Sequence, residues 1–172
     1  MQLSDEIRTI ATIISPILSG LSVYFTRRFW FATNRPIVCV KIMTAQSGNR
    51  NNCYNLVVFN TGNRPALNVC LYAEKKDIND ILLENINPQN ESLVNGIKRC
   101  FSKDTVIPLL INGENVSNSF GTTGHDGVLI YKSKLKIKIN YEDFYKNKYS
   151  YEQILVVTTS EAFADSSWSK LV

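Results

Sequence analysis

Hydrophobic positions divide this chain into two unlike parts. From Thr9 to Thr26 (TIATIISPILSGLSVYFT) no residue carries a charge; Arg8 stands in front, Arg27 and Arg28 behind, and Phe29-Trp30-Phe31 follows. These eighteen residues at helical rise make roughly 27 Å, enough for a thin hydrocarbon core. After Arg35 the pattern changes to short β-branched and aromatic runs separated by polar turns, which is how strands read. The predicted organisation is an N-terminal hydrophobic helix over residues 1–33, a β-domain over 34–160 and a polar tail over 161–172.

The ends of the apolar run fit a membrane segment. Trp30 and Tyr24 suit the headgroup zone, and Arg27 and Arg28 hold the boundary. Ser4 and Asp5 are candidate caps, and the helix is expected to reach about Phe31 and stop before Asn34-Arg35-Pro36. Pro16 and Gly20 are better tolerated in lipid than in a soluble helix. Ala11, Ser15, Ser19 and Ser22 fall on one face, spaced four, four and three, and such a stripe lets two helices approach closely. Ile10, Ile14, Ile17, Leu21 and Phe25 occupy another. The many Ser and Thr residues also fit a soluble amphipathic helix packed on the β-domain. The leader MQLSDEIR is acidic and no small-residue cleavage site follows, unlike a signal peptide. Arg27, Arg28, Arg35 and Lys41 outweigh Arg8, which predicts a single pass through the inner (plasma) membrane with the C-terminal domain in the cytosol.

In the β-domain, IVCVKIM alternates with Val38, Val40 and Ile42 on one face and Ile37, Cys39 and Lys41 on the other. CYNLVVFN is a second strand. The string Asn60-Thr61-Gly62-Asn63-Arg64-Pro65-Ala66 is turn composition, with positive φ expected at Gly62 or Asn63. ALNVCLYAE follows, with Leu67, Val69 and Leu71 on one face. Lys75–Lys103 reads as a long loop holding a short helix or strand. Asn112-Gly113 after VIPLLI signals a hairpin or tight turn, and GTTGHDG (Gly121–Gly127) a flexible loop. Val128–Asn140 predicts one alternating strand, with Lys132, Lys134, Lys136 and Lys138 along one face. YEDFYKNKY turns into a return strand, SYEQILVVTT. About seven short strands make an antiparallel sandwich, so the predicted fold is mainly β behind one helix.

Composition narrows the chemistry. A net charge of +4 and a pI of about 8.9 are too weak for a nucleic-acid partner but compatible with an anionic membrane surface. Cys39, Cys53, Cys70 and Cys100 show no metal-binding spacing, and with one histidine, His125, no zinc site is expected. His125-Asp126 in a glycine loop lacks a nucleophile motif. Glu142-Asp143 reads as turn chemistry. No catalytic residue, cofactor or metal is assigned. The lysine row is the candidate for headgroup or partner docking, against the plainer reading of a solvated or guarded strand face.

The strand ending in Asn-Thr-Gly, the Pro65-Ala66 step and ALNVCLYAE resemble bacterial immunoglobulin-like sandwiches of the CARDB kind. DTVIPLLINGENVS is similar to their proline, apolar, Gly-Glu segment, and LKIKINYEDFYKNKYSYEQILVV to their closing hairpin. The order of helix, Arg-Pro and sandwich resembles small membrane-anchored bacterial proteins. The resemblance covers Pro36 to Thr159, with Lys75–Lys103 as a departure. It implies an interaction scaffold and brings no catalytic residue. The expected function is a non-enzymatic, membrane-anchored sandwich that binds a protein partner or senses a signal, self-associating through its helix. Two alternatives stand beside it: an oligomerising, membrane-perturbing effector of a bacterial defence or toxin system, and a soluble ligand-binding sandwich capped by its own helix.

Overall fold

The computed structural model describes residues 2–48, 50–84 and 88–159, with side chains from residue 8 onward. The tail over 161–172, with Trp168, lies outside the described residues. The chain divides into two compact units, Met1–Arg35 and Pro36–Val172.

The first unit is a single helix, α1 (Gln2–Thr33, 32 residues), which begins ahead of the expected caps and runs two residues past the expected end at Phe31. Ser4 and Asp5 lie inside it and do not cap it. Pro16 brings no N–H for the Thr12 carbonyl, while the Thr12 hydroxyl donates to the Arg8 carbonyl at 2.7 Å. Back-bonding of this kind keeps a threonine satisfied inside a helix. The last turn closes on Asn34, whose backbone and side-chain nitrogens both donate to the Trp30 carbonyl, at 2.9 and 3.0 Å. Arg35, which precedes a proline, is biased away from helical geometry.

The second unit is a β-sandwich. Its strands are β1 (Val38–Ser47), β2 (Asn51–Asn60), β3 (Ala66–Tyr72), β4 (Val106–Leu110), β5 (Asn115–Gly124), β6 (Lys134–Glu142) and β7 (Lys148–Val156). They form two antiparallel sheets, β1-β2-β5 and β4-β3-β6-β7. Alternation puts Val38, Val40 and Ile42 of β1 and Leu135, Ile137 and Ile139 of β6 into one core with Tyr54 and Phe120. In β3 the alternation breaks once. Asn68 takes φ 51° and the register against β6 shifts between Leu67 and Cys70, so Ala66 and Val69 are buried and Leu67 is only half-buried. Asparagine tolerates that left-handed geometry, and it is found here and not at Gly62 or Asn63.

The stretch from Lys75 to Lys103, expected as a long loop holding a short helix or strand, holds two α-helices among its described residues, α2 (Lys75–Asp80) and α3 (Glu91–Cys100). Val94, Ile97 and Cys100 of α3 are buried at helical spacing, with Phe101 just beyond. α3 packs against β5 at Gly121, where an added Cβ would come within 3.3 Å of the Ile97 side chain. Gly121 takes φ 124° beside a register shift that slips Phe120 into the core. Gly121–Gly124 therefore ends a strand, and only the three residues from His125 to Gly127 belong to the expected loop.

Two tertiary ties hold the sheets together. Asn60, 1% exposed, accepts at Oδ1 from the Ile37 and Gly62 N–H groups (3.1 and 3.0 Å) and donates from Nδ2 to the Arg64 and Leu110 carbonyls (2.7 and 3.1 Å). Its backbone carbonyl accepts from Gly113 at 2.9 Å, where φ is 77°. The Asn112-Gly113 turn thus carries the chain from one sheet to the other and does not make a hairpin. At the opposite side of the sandwich the Gln153 side chain accepts from the Val40 N–H at 3.2 Å and donates to the Val40 carbonyl. An amide on β7 there does what a neighbouring strand would do for the edge of β1.

Candidate functional site

α1 is long and apolar enough to cross a membrane over Arg8–Thr33, 26 residues, or about 39 Å. Every residue in that range is exposed, including Ile10, Ile14, Ile17, Leu18 and Leu21. An unburied apolar surface of this extent is of the kind that lipid or another protein covers when a helix spans or docks. Ala11, Ser15, Ser19 and Ser22 lie together with Ile14, Leu18 and Val23 along one shallow groove of the helix. At its C-terminal part Trp30 meets Phe31 edge-on at 5.1 Å, and the Arg27 guanidinium lies 5.8 Å from the Phe31 ring. Arg27, Arg28 and Trp30 are all exposed, as an interfacial cluster requires.

The lysine row is shorter than the sequence suggests. β6 begins at Lys134. Lys132 sits in the preceding turn with φ 64°, its N–H donating to the Val157 carbonyl at 2.8 Å and its ammonium 5.7 Å from the Tyr131 ring. A left-handed residue there rotates its side chain off the β6 face, and Val128–Ser133 contributes an isolated bridge from Leu129 to Leu82, not strand. Lys134, Lys136 and Lys138 do share the exposed face of β6. That strand is flanked by β3 and β7, so its lysines do not guard a sheet edge. Lys136 is engaged with Glu152 at 2.7 Å. The contact raises the lysine pKa and lowers that of the carboxyl, each through the shared hydrogen bond first and charge second.

The β6–β7 turn is built around Asp143, which is 4% exposed. Its Oδ1 accepts from the Tyr145 and Asn147 N–H groups at 2.8 and 2.9 Å, and its Oδ2 from the Asn147 amide and the Tyr149 hydroxyl at 2.9 and 3.1 Å. Burial alone pushes its pKa up, but these hydrogen bonds outweigh it and hold the carboxyl below its ordinary value. A depressed folded pKa gives stability that is present above the unfolded value near 3.9 and lost as pH falls through the lower folded one. Asp143→Asn is expected to cost about 1–3 kcal/mol at neutral pH. In paired melts the gap to wild type narrows in acid; an unchanged gap from neutral to acid pH contradicts the assignment.

His125 and Asp126 do touch, Nδ1 to Oδ1 at 3.2 Å, but both side chains are wide open to solvent (87% and 75%). Burial pushes the Cys70 and Cys100 thiols up, Cys100 against a hydrogen bond from Asn118, which is the inert direction for a thiol. Among the described residues no group of three or more His, Cys, Asp or Glu side chains is placed to hold a metal.

The sequence matches, over residues 7–161, a family described as a domain of unknown function (DUF8453). The chain belongs to that family. The DUF8453 range takes in both the apolar helix and all seven strands, so helix and sandwich are matched as parts of one family. No curated protein matches the chain.

The sequence reads YEDFYKNKY as a turn carrying aromatics, and Phe144 and Tyr145 stand exposed at its tip. Sequence reasoning passed over Arg64, whose guanidinium lies 5.0 Å from the Tyr145 ring.

Proposed function

We propose that this chain is a single-pass protein of the inner (plasma) membrane whose cytosolic β-sandwich binds a protein partner, acting as an interaction or sensor module and not as an enzyme. The observation that carries the reading is α1, with its apolar surface exposed from Arg8 to Thr33 and its cations concentrated after the apolar run. The two sheets, with the chain crossing between them after β2, β4 and β5, support an immunoglobulin-like, CARDB-type domain. Lys134 and Lys138, exposed on the outer face of β6, give a partner a basic surface. Full-length protein is expected to stay with membranes through a carbonate wash, and added protease to digest the sandwich in inverted vesicles only. Full recovery in the soluble fraction without detergent would favour the soluble ligand-binding sandwich.

A second reading has its own support. The groove along Ala11, Ser15, Ser19 and Ser22 fits close helix–helix approach, which a membrane-perturbing oligomer needs. Ser19→Leu fills that groove while making the helix more apolar. Crosslinked dimers in membranes are expected to fall severalfold in this variant with anchoring intact; equal crosslinking would place association elsewhere.

A further inference from the structure

We propose that the tip of the β6–β7 turn is a second membrane contact, with Phe144 and Tyr145 seated in the phospholipid headgroup layer. This rests on the reading of α1 as a membrane span. The chain passes into the sandwich at Pro36, and the Pro36 carbonyl accepts the Tyr141 hydroxyl at 3.1 Å. The end of β6 is therefore the end of the sandwich at which the chain arrives. The β2–β3 turn lies at the same end, since the Thr61 N–H donates to the Ile37 carbonyl at 2.8 Å. From it Arg64 reaches the Tyr145 ring, its guanidinium 5.0 Å from the centroid.

Chain length ties this end to the interface. Trp30 is the headgroup marker of the helix, α1 ends at Thr33, and Asn34 and Arg35 precede Pro36. Three residues of helix and three of extended chain reach at most about 15 Å, while each headgroup layer is itself roughly 5–8 Å deep. The sandwich cannot hold its Pro36 end far from lipid. At that end Phe144 is 61% exposed and Tyr145 56%, on a turn that the Asp143 carboxylate holds rigid. Exposed aromatic rings favour the membrane–water interface.

The charges agree with an anionic surface. Lys146 and Lys148 are exposed and Arg64 half-exposed. Of the carboxylates at this end, Asp143 is buried and saturated, Glu142 lies 3.9 Å from Lys146, and Glu114 stands exposed in the β4–β5 turn. Lys134 begins β6, eight residues before Glu142 at its other end, about 27 Å along the strand. The lysine row therefore starts at the end of the sandwich remote from the aromatic tip.

The test uses full-length protein in phosphatidylcholine vesicles containing phosphatidylglycerol, with nitroxide headgroup lipids as quenchers. Three single-tryptophan chains are compared: one retaining Trp30 with Trp168→Phe, one with Trp30→Phe, Trp168→Phe and Phe144→Trp, and one with Tyr131→Trp in place of Phe144→Trp. Severalfold stronger quenching at position 144 than at 131, with Trp30 also quenched, is the expected result. Quenching of Trp30 without quenching at 144 overturns the tip contact and leaves the anchor standing. Equal quenching at 144 and 131 also overturns it, since the whole domain would then lie on the surface. No quenching at any position removes anchor and tip together.

Discussion

Leu18→Arg is expected to move full-length protein out of the carbonate-washed membrane fraction. Leu18 is at the middle of the uncharged run Thr9–Thr26 and is exposed on α1, so the substitution creates no clash within the helix. On insertion scales leucine contributes about −0.5 kcal/mol at the centre of a span and arginine costs about 2.5–3.5 kcal/mol. The change of about 3–4 kcal/mol corresponds to a shift of roughly 100- to 1000-fold in partition. Seven Ser, Thr and Pro positions in the run (Thr9, Thr12, Ser15, Pro16, Ser19, Ser22 and Thr26) leave the segment little reserve against such a loss. From the centre the arginine head is far from either interface, which limits the relief snorkelling gives. Leu18→Ala keeps the helix and adds no charge, so it is expected to remain in the pellet. If Leu18→Arg pellets as wild type does, and resists carbonate equally, α1 does not span.

Asn60→Ala is expected to lower the sandwich melting temperature by about 10–20 °C. The side chain meets four partners from three places in the sequence: Ile37 before β1, Gly62 and Arg64 in the β2–β3 turn, and Leu110 at the end of β4. All of this occurs at 1% exposure, where water does not replace what alanine removes. Each backbone group left without a partner costs about 1–3 kcal/mol, and partial relaxation brings the total to about 3–5 kcal/mol. That is a large share of the 5–15 kcal/mol by which domains are ordinarily stable. Asn60→Asp offers a contrast. It keeps the acceptor for Ile37 and Gly62 but turns a carboxylate toward the Arg64 and Leu110 carbonyls, so it is expected to be as damaging at neutral pH and to recover in part in acid. A shift of less than a few degrees for Asn60→Ala would mean that the two sheets are tied elsewhere.

What the sequence determined by itself was everything carried by short-range period. The uncharged run and its arginine flanks specify a helix because charge and length act locally. The alternation of β1, β6 and β7 specifies strands because adjacent side chains must point to opposite faces. Asp143 was legible as a turn residue since its partners lie within six positions of it. Even α3 had a readable signal in Val94, Ile97 and Cys100, masked by the polar residues around them. The tertiary structure decided what depends on distant pieces meeting. Lys132 leaves the lysine row because its N–H is drawn to Val157, 25 residues on in the chain. Asn112-Gly113 fails to make a hairpin because β4 pairs with β3, and β5 with β2. Asn60 becomes a tie, and the Phe144-Tyr145 tip a neighbour of Pro36, through hydrogen bonds that span 50 and 105 residues. Local propensity is set by a residue and its nearest neighbours, whereas those contacts exist only once two sheets have closed over one core.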